Sequence, residues 1–78
     1  YNSFARANLE NANFKNAVMK TTSFASADLT NADLTNADLS GADLRSAFLG
    51  DADLSNANLE GANLQDAILN CLNHPICN

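Results

Sequence analysis

The sequence has few of the residues from which most binding and catalytic sites are built. Its 78 residues include one histidine, one proline, three glycines and only four Lys or Arg side chains. No apolar run approaches the roughly 18 residues that a membrane-spanning helix needs, and no signal-peptide pattern is visible. Gly41, Gly50 and Gly61 are isolated, so the chain has no Gly-rich loop to bind a phosphate.

The shortage of suitable side chains also argues against an enzyme. His74 is the only imidazole that could act as a base, and it lies beside Pro75 in the last residues of the chain. Ser, Thr and Asp are numerous, but they recur with a sequence repeat, which gives them a structural explanation. We therefore expect no catalytic residues, no cofactor and no metal.

Charge is unevenly distributed along the chain. The net charge is −5, yet residues 1–20 carry Arg6, Lys15 and Lys20 against the single acid Glu10. Residues 21–78 carry eight acids and only Arg45. An acidic surface disfavours duplex nucleic acid and anionic membranes. We expect neither as a partner.

What the sequence does contain is a five-residue repeat. Residues 27–64 read ADLTN ADLTN ADLSG ADLRS AFLGD ADLSN ANLEG ANL, and a large apolar residue recurs at every fifth position from Phe4 to Leu69. Two residues before it stands a small residue, nearly always Ala, with Asn2 and Thr22 as exceptions. A period of five leaves no apolar stripe on a helix and places successive leucines on opposite faces of a straight strand.

The chain must therefore turn a corner once in each repeat. Within a repeat, Ala and Leu share the inward face of a short extended piece, while the Asp or Asn between them points outward. The two residues that follow are mostly Ser, Thr, Asn, Gly or Asp, which are typical of turns.

The corner residues also indicate how many corners complete one coil. At a spacing of four repeats, five of ten compared corner positions are identical, against two of eleven at three repeats and two of nine at five repeats. Stacked coils favour like residues above one another, as in Asn ladders. A four-sided coil, with four repeats in each turn, is therefore preferred. The identical pairs are Asn11/Asn31, Asn16/Asn36, Ser26/Ser46, Asn36/Asn56 and Gly41/Gly61.

The repeats ADLTN, ADLSG and ANLEG closely resemble those of the pentapeptide-repeat family. The resemblance implies an all-β fold, a right-handed quadrilateral parallel β-helix of about four coils with four pentapeptides per coil. We expect residues 1–70 to form this solenoid and residues 71–78 to form a C-terminal cap or connector. The repeat departs from the family pattern at Val18, Phe48 and Ile68, which replace the outward Asp or Asn.

A four-sided coil predicts which inward side chains stack. Each coil buries its large residues against those above and below, and four coils at about 4.8 Å each give a rod of about 19 Å. The predicted inward columns are Phe4/Phe24/Leu44/Leu64, Leu9/Leu29/Leu49/Leu69, Phe14/Leu34/Leu54 and Met19/Leu39/Leu59.

Most of the acidic residues have a structural explanation. Five aspartates occupy the outward place of the repeat, where Asp and Asn side chains accept hydrogen bonds from nearby backbone N–H groups at corners. Asparagines fill the same place elsewhere without charge, which supports this interpretation. The aspartates are Asp28, Asp33, Asp38, Asp43 and Asp53, and the asparagines are Asn8, Asn13, Asn58 and Asn63.

The segment after Asn70 contains both cysteines, and three interpretations remain open. Cys71 and Cys77 could form a disulfide that closes a short loop over the last coil, which fits an oxidising compartment. They could instead be two free thiols in a reducing compartment. The third alternative is a metal site, since C-x2-H-x2-C groups three ligands, but a fourth protein ligand is lacking.

Phe48 and Ile68 form a candidate interaction patch. They are four repeats apart, so a four-sided coil stacks them on one face. Either Leu72 and Ile76 fold over them as part of a cap, or the pair is exposed for a partner or for a following segment. Self-association through this patch or through the coil ends is a further alternative.

Two functions are compatible with these features. The first is a structural or protein-interaction module with an unknown protein partner. The second follows from the resemblance alone, because family members linked to fluoroquinolone resistance are acidic dimeric rods that mimic duplex DNA and bind gyrase. A rod of about 19 Å would span only about six base pairs at roughly 3.4 Å each, so the first function is preferred.

The sequence also bears on the compartment. Pentapeptide-repeat proteins are common in cyanobacteria and plastids, including the thylakoid lumen, and most have no assigned activity. The chain begins with Tyr1 rather than Met, which fits a processed mature form or a fragment of a longer protein. With the two cysteines, this favours the thylakoid lumen or a periplasm over the cytoplasm.

Overall fold

The computed structural model describes residues 2–78, so Tyr1, where the predicted repeat begins, lies outside the described residues. Within them the backbone forms no helix and no continuous strand, and therefore no helix that could cross a membrane. Parallel pairing occurs instead as single-residue bridges between positions four repeats apart. Ser3 pairs with Ser23, Ser23 with Asp43, and Asp43 with Asn63, so three full turns separate Ser3 from Asn63.

Four columns of outward residues follow from these bridges, and each column defines one face of the coil. The first face carries Ser3, Ser23, Asp43 and Asn63, the second Asn8, Asp28, Phe48 and Ile68, the third Asn13, Asp33, Asp53 and Leu72, and the fourth Val18, Asp38 and Asn58. The described residues span 26 × 21 × 19 Å, so the structure is only slightly elongated.

Backbone hydrogen bonds join each coil to the next. On the third face, the Asp33 N–H donates to the Ala12 carbonyl at 2.9 Å, and the Leu34 N–H donates to the Asp53 carbonyl at 2.9 Å. The same pattern recurs on every face. Residues one turn apart are therefore held in register by the peptide groups, whatever their side chains are.

Each corner is a tight turn closed by a further backbone hydrogen bond, as between the Ala32 N–H and the Leu29 carbonyl at 3.0 Å. The third residue of the turn has a positive φ, 60° at Asn31 and 67° at Gly41. Asn, Asp and Gly adopt this left-handed conformation most readily. This requirement explains why they are so frequent at the corner positions.

The aspartates and asparagines of the outward place stabilise the same corners, as the sequence predicts. The Oδ1 atom of Asp33 accepts the N–H of Thr35 at 3.0 Å. Asn8 does the same for the N–H of Glu10 at 3.1 Å without a charge. The charge is therefore not needed for the turn.

The inward columns predicted from the sequence form the core. Phe24, Leu29, Leu34, Leu39, Leu44, Leu49 and Leu54 are fully buried together with the Ala residues of the same coils. Met19 is buried as well, and the remaining large inward residues are partly buried and pack against this core: Phe4, Leu9, Phe14, Leu59, Leu64 and Leu69. Phe24 stacks on Phe4 with ring centroids 5.4 Å apart and meets Phe14 edge-on at 6.1 Å. The exceptional Thr22 is also buried, and its hydroxyl donates to the Lys20 carbonyl at 3.4 Å.

The register changes by one residue after Leu69. Leu72 pairs with Asp53, one position short of four repeats, and its N–H donates to the Ala52 carbonyl at 2.8 Å. The corner between the last repeat and the tail is thus one residue shorter than the others. As a result Cys71 takes the inward place that Ala holds elsewhere, and it is only 4% exposed.

Filling the inward place with a larger side chain should destabilise the coil. Ala37 is fully buried, so we expect Ala37→Leu to lower the free energy of unfolding by about 1–3 kcal/mol through overpacking. Thr35, at a partly exposed corner, is the matched control, and Thr35→Leu should change stability much less. Urea denaturation of the two variants measures both effects. A neutral Ala37→Leu beside a disruptive Thr35→Leu would show that the inward register is wrong.

Corner strain offers a second test. Thr21 is β-branched and has a φ of 55°, a conformation that such residues avoid. We expect Thr21→Asn to raise the free energy of unfolding by about 1 kcal/mol. The reverse change at an equivalent corner, Asn31→Thr, should lower it by a similar amount. Thermal melts of both variants check the pair, and equal signs for the two changes would contradict the assignment of strain.

Candidate interaction site

Phe48 and Ile68 lie together on the second face, in adjacent coils, as their spacing of four repeats predicts. The two residues form a parallel bridge, in which the Ile68 N–H donates to the Ala47 carbonyl at 2.9 Å and the Leu49 N–H donates to the Ile68 carbonyl at 3.0 Å. Each side chain is 49% exposed. We call this pair the apolar patch.

Carboxylates border the apolar patch. Asp28 precedes Phe48 in the same column, and Asp43 and Asp53 are the outward residues of the two neighbouring faces in the same coil as Phe48. Asp43 is partly neutralised, because the Arg45 Nη2 atom lies 2.7 Å from its Oδ2. The outward positions around Phe48 are therefore acidic, whereas those beside Ile68 in the last coil, Asn63 and Leu72, are uncharged.

The C-terminal tail does not seal the apolar patch. Leu72 is the outward residue of the third face and is itself 45% exposed, while Ile76 packs against the core. Of the two alternatives for this pair, the exposed patch therefore fits the structure better than a cover formed by Leu72 and Ile76. The physical reason is the shortened corner after Leu69, which brings Leu72 into register with Asp53.

Among the described residues Val18 is the most exposed large apolar residue, at 75%, but it does not belong to the patch. It lies on the fourth face, in the first coil, and pairs with Asp38. It is thus an isolated exposed side chain of a kind that is common on protein surfaces.

Cys71 and Cys77 are brought together by the tail. Their sulfur atoms are bonded at 2.08 Å, and their Cα atoms are 5.1 Å apart. Within residues 2–78 no group of three His, Cys, Asp or Glu side chains is arranged to hold a metal ion. Of the three interpretations of this segment, the structure contains the disulfide, and its formation in the purified protein stays a prediction.

The tail makes three contacts with the coils. His74 Nε2 lies 3.1 Å from the Ala57 carbonyl oxygen, Asn73 Nδ2 donates to Asp53 Oδ1 at 3.2 Å, and the Asn78 N–H donates to the Leu69 carbonyl at 2.7 Å. Asn73 and Asp53 are still four repeats apart, but the other two contacts join residues 17 and 9 positions apart, and the repeat carries no signal for them.

Hydrogen bonding lowers the pKa of five outward aspartates below the ordinary value of 3.8. Hydroxyl groups are the largest cause at four of them, as when the Thr30 Oγ1 donates to Asp28 at 2.6 Å, and backbone N–H groups add to it. At Asp43 the main cause is the Arg45 side chain. All five are therefore ionised at neutral pH. They are Asp28, Asp33, Asp38, Asp43 and Asp53.

A shallow open groove of about 320 Å³ follows the corner between the first and second faces, beside the apolar patch. Hydroxyl, amide and charged side chains make up most of its lining. The lining residues are Ala25, Ser26, Arg45, Ser46, Gln65 and Asp66.

The repeat geometry agrees with a family-level comparison. The family model for pentapeptide repeats matches residues 3–41 and 37–70, with eight copies of the repeat. The chain belongs to the pentapeptide-repeat family. Members of this family are generally non-enzymatic structural repeat proteins.

Solved structures of pentapeptide-repeat proteins are similar to the chain. One from the thylakoid lumen of Arabidopsis thaliana is 34% identical, with a TM-score of 0.88 over 92% of this chain. Rfr23 from the cyanobacterium Cyanothece 51142 is 28% identical, with a TM-score of 0.77 over 92% of this chain. The protein alr5209 from Nostoc is 43% identical, with a TM-score of 0.51 over 86%. These relatives imply the right-handed quadrilateral β-helix that the repeat suggests.

The chain spans only part of these relatives, 50% of the Arabidopsis protein, 47% of Rfr23 and 64% of alr5209. No curated protein sequence matches the chain. The comparisons therefore show the family, and a specific activity has to be argued from the surface.

The lowered aspartate pKa values predict a loss of stability in acid. A carboxylate whose pKa is lower in the folded protein than in the unfolded chain stabilises the fold above the unfolded value and loses this effect as pH falls through the folded value. The melting temperature should therefore be nearly constant from pH 7 to 5 and should fall below about pH 4.

A matched variant isolates this effect. Replacing all five aspartates by asparagine keeps the acceptor atom of the corner hydrogen bond, as Asn8 and Asn13 demonstrate at 3.1 and 3.0 Å. Its melting temperature should vary much less between pH 5 and pH 2 than that of the wild type. Equal acid sensitivity of the two proteins would assign the effect to other groups.

Proposed function

We propose that the chain is a non-enzymatic protein-interaction module. In this proposal a rigid right-handed β-helix of about four coils, with four pentapeptides per coil, presents the apolar patch to a protein partner. One observation carries the proposal. Phe48 and Ile68 are paired in one column and half exposed, at the place where most repeats have Asp or Asn.

The fold itself does not need these two side chains. An Asp or Asn in the outward place accepts the N–H of the residue two positions on, as Asp53 does for Ser55 at 3.0 Å. Phe and Ile cannot accept a hydrogen bond, and they leave apolar surface in contact with water. Because the position favours a polar residue on structural grounds, contact with a partner is the better explanation of two apolar residues in register.

The surroundings of the patch indicate the chemistry of the partner. Residues 21–78 carry eight acids and one cation, and Asp28 and Asp53 lie next to Phe48 in its column and its coil. Complementary potentials favour association and select against like-charged partners. The partner proposed here is therefore a protein surface that presents an apolar side chain flanked by Lys or Arg.

Mimicry of duplex DNA remains the alternative, supported by the net charge of −5. The longest dimension of the described residues is 26 Å, which corresponds to only about eight base pairs at roughly 3.4 Å each. A gyrase supercoiling assay separates the two functions, since an interaction module should have no effect at micromolar concentration.

For the compartment, we propose the thylakoid lumen or a comparable oxidising space. Two observations support it: the similar Arabidopsis protein comes from the thylakoid lumen, and the two cysteines of the chain are paired. Disulfides persist in oxidising compartments and are rare in reducing ones.

Replacing Phe48 by aspartate tests the interaction. Five repeats carry aspartate in this place and four carry asparagine, so Phe48→Asp should change the melting temperature by less than about 4 °C, as expected for a surface change below ~0.5 kcal/mol. Val18→Asp is the matched control, because Val18 is an exposed apolar residue in the same place on another face. Size-exclusion chromatography shows whether either change alters self-association.

Binding is measured on an array of short peptides that present a central Leu or Phe flanked by either Lys or Glu. Wild type and Val18→Asp should retain the Lys-flanked peptides, more weakly at high salt, and Phe48→Asp should lose at least tenfold in affinity. Equal binding by all three proteins, or a preference for Glu-flanked peptides, would refute the proposed site. A clearly destabilised Phe48→Asp would instead assign Phe48 to the packing of the coil.

A further inference from the structure

The tail occupies part of the open end of the last coil. In the interior of the helix, the carbonyl of each inward Ala accepts an N–H from the following coil, as Ala37 does from Asn58 at 2.9 Å. At the end, Ala52 still receives the N–H of Leu72 at 2.8 Å. At the next position around the coil, Ala57, no backbone N–H of residues 2–78 reaches the carbonyl, and His74 Nε2 takes its place at 3.1 Å. The imidazole thus takes the place of the backbone N–H that a further coil would donate.

The rest of the tail folds back onto the same end. The Asn78 N–H donates to the Leu69 carbonyl at 2.7 Å, and the Cys77 N–H donates to the His74 carbonyl at 2.9 Å. Ile76 and Cys77 pack against the core. Residues 73–78 therefore cover apolar side chains as well as backbone groups of the last coil.

The disulfide joins this segment to the core. Cys71 is inward and 4% exposed, so it is fixed by the coil, whereas Cys77 lies at the far end of the loop and is only partly buried. We propose that residues 73–78 form a redox-releasable cap. The Cys71–Cys77 bond keeps the cap on the last coil, and its reduction frees the cap and uncovers the edge at Ala57 while the β-helix stays folded.

The reaction requires a dithiol reductant. One thiolate of the reductant attacks the sulfur of Cys77, the more exposed of the two residues, and the Cys71–Cys77 bond breaks. Cys71 leaves as a thiolate and takes up a proton. The second thiol of the reductant, as a thiolate, then attacks the reductant's own sulfur in the mixed disulfide. Cys77 is released as a thiolate and takes up a proton. Two electrons and two protons reach the two cysteines, and the reductant becomes a disulfide.

Opening should follow reduction because few other interactions hold the segment. Each hydrogen bond of the cap has only a modest net effect on stability. The cross-link spans six positions, and for so short a loop its removal should shift the opening equilibrium on the order of 50-fold. The coils below are held by their own backbone bonds and buried leucines, so they should not open with the cap.

Hydrogen exchange of individual amides, measured by NMR on the whole chain, tests the cap. After addition of dithiothreitol, the Cys77 and Asn78 amides, which hold cap hydrogen bonds, should exchange at least tenfold faster. The amides of Leu34 and Leu39, inside the helix, should be unchanged. Unchanged exchange at Cys77 and Asn78 would refute release. A parallel increase at Leu34 would refute it too, because the whole fold would then have opened.

A double variant separates loss of the bond from effects of the reagent. Cys71→Ala with Cys77→Ala places at 71 the residue that the repeat normally carries there, so the core should be retained. Without reductant it should reproduce the exchange of the reduced wild type, and slow exchange in the variant would count against the proposal. Alkylation at limiting dithiothreitol should modify Cys77 before Cys71. The opposite order would overturn the proposed route of attack.

Discussion

The whole structure depends on one constraint, the parallel hydrogen bonding of every coil to the coil that follows it four repeats along the chain. Because the peptide groups make these bonds, residues such as Asp33 and Asp53 are stacked even though both carry negative charge. The buried Leu and Phe columns fill the interior that this ladder encloses, and Ala leaves room for them. Stability is therefore distributed along the chain in similar increments, as in other solenoids. No single long-range contact decides the fold.

Because the backbone ladder and the buried columns hold the fold together, the outward side chains are under few structural constraints. The ladder needs nothing from them, and the corner needs only an acceptor in the outward place and a residue that tolerates positive φ three positions later. Both Asp and Asn meet the first requirement, so the fold does not require an acidic surface. A side chain in the outward place that cannot accept a hydrogen bond, and that is paired with a second one in the same column, such as Phe48 with Ile68, then indicates a requirement from outside the fold. This is why the proposed function depends on two residues in a chain of 78.

The features of the fold and of the apolar patch that the sequence could predict are those set by the repeat. The spacing of five, with corner identities four repeats apart, was sufficient to predict the inward columns, the pairing of Phe48 with Ile68 and the corner hydrogen bonds of the aspartates. It failed at the tail, where one residue fewer at the corner moves Leu72 into register with Asp53. A periodic pattern carries no information about its own interruption. The contact between His74 and Ala57 lies beyond that point, and only the three-dimensional structure brings these residues together.

At the end of the β-helix, backbone groups lose the hydrogen-bond partners that a further coil would provide. Every interior carbonyl of the inward Ala residues has a partner in the next coil, and the last coil must replace those partners by other means. The tail does so for part of the coil only, with a backbone pair at Leu72 and an imidazole at His74. The same last coil contributes Ile68 to the apolar patch and, one corner later, Leu72 and Cys71 to the tail. The departures from the repeat at this end, Ile68, Cys71 and Leu72, thus lie where the repeat itself can no longer satisfy the backbone.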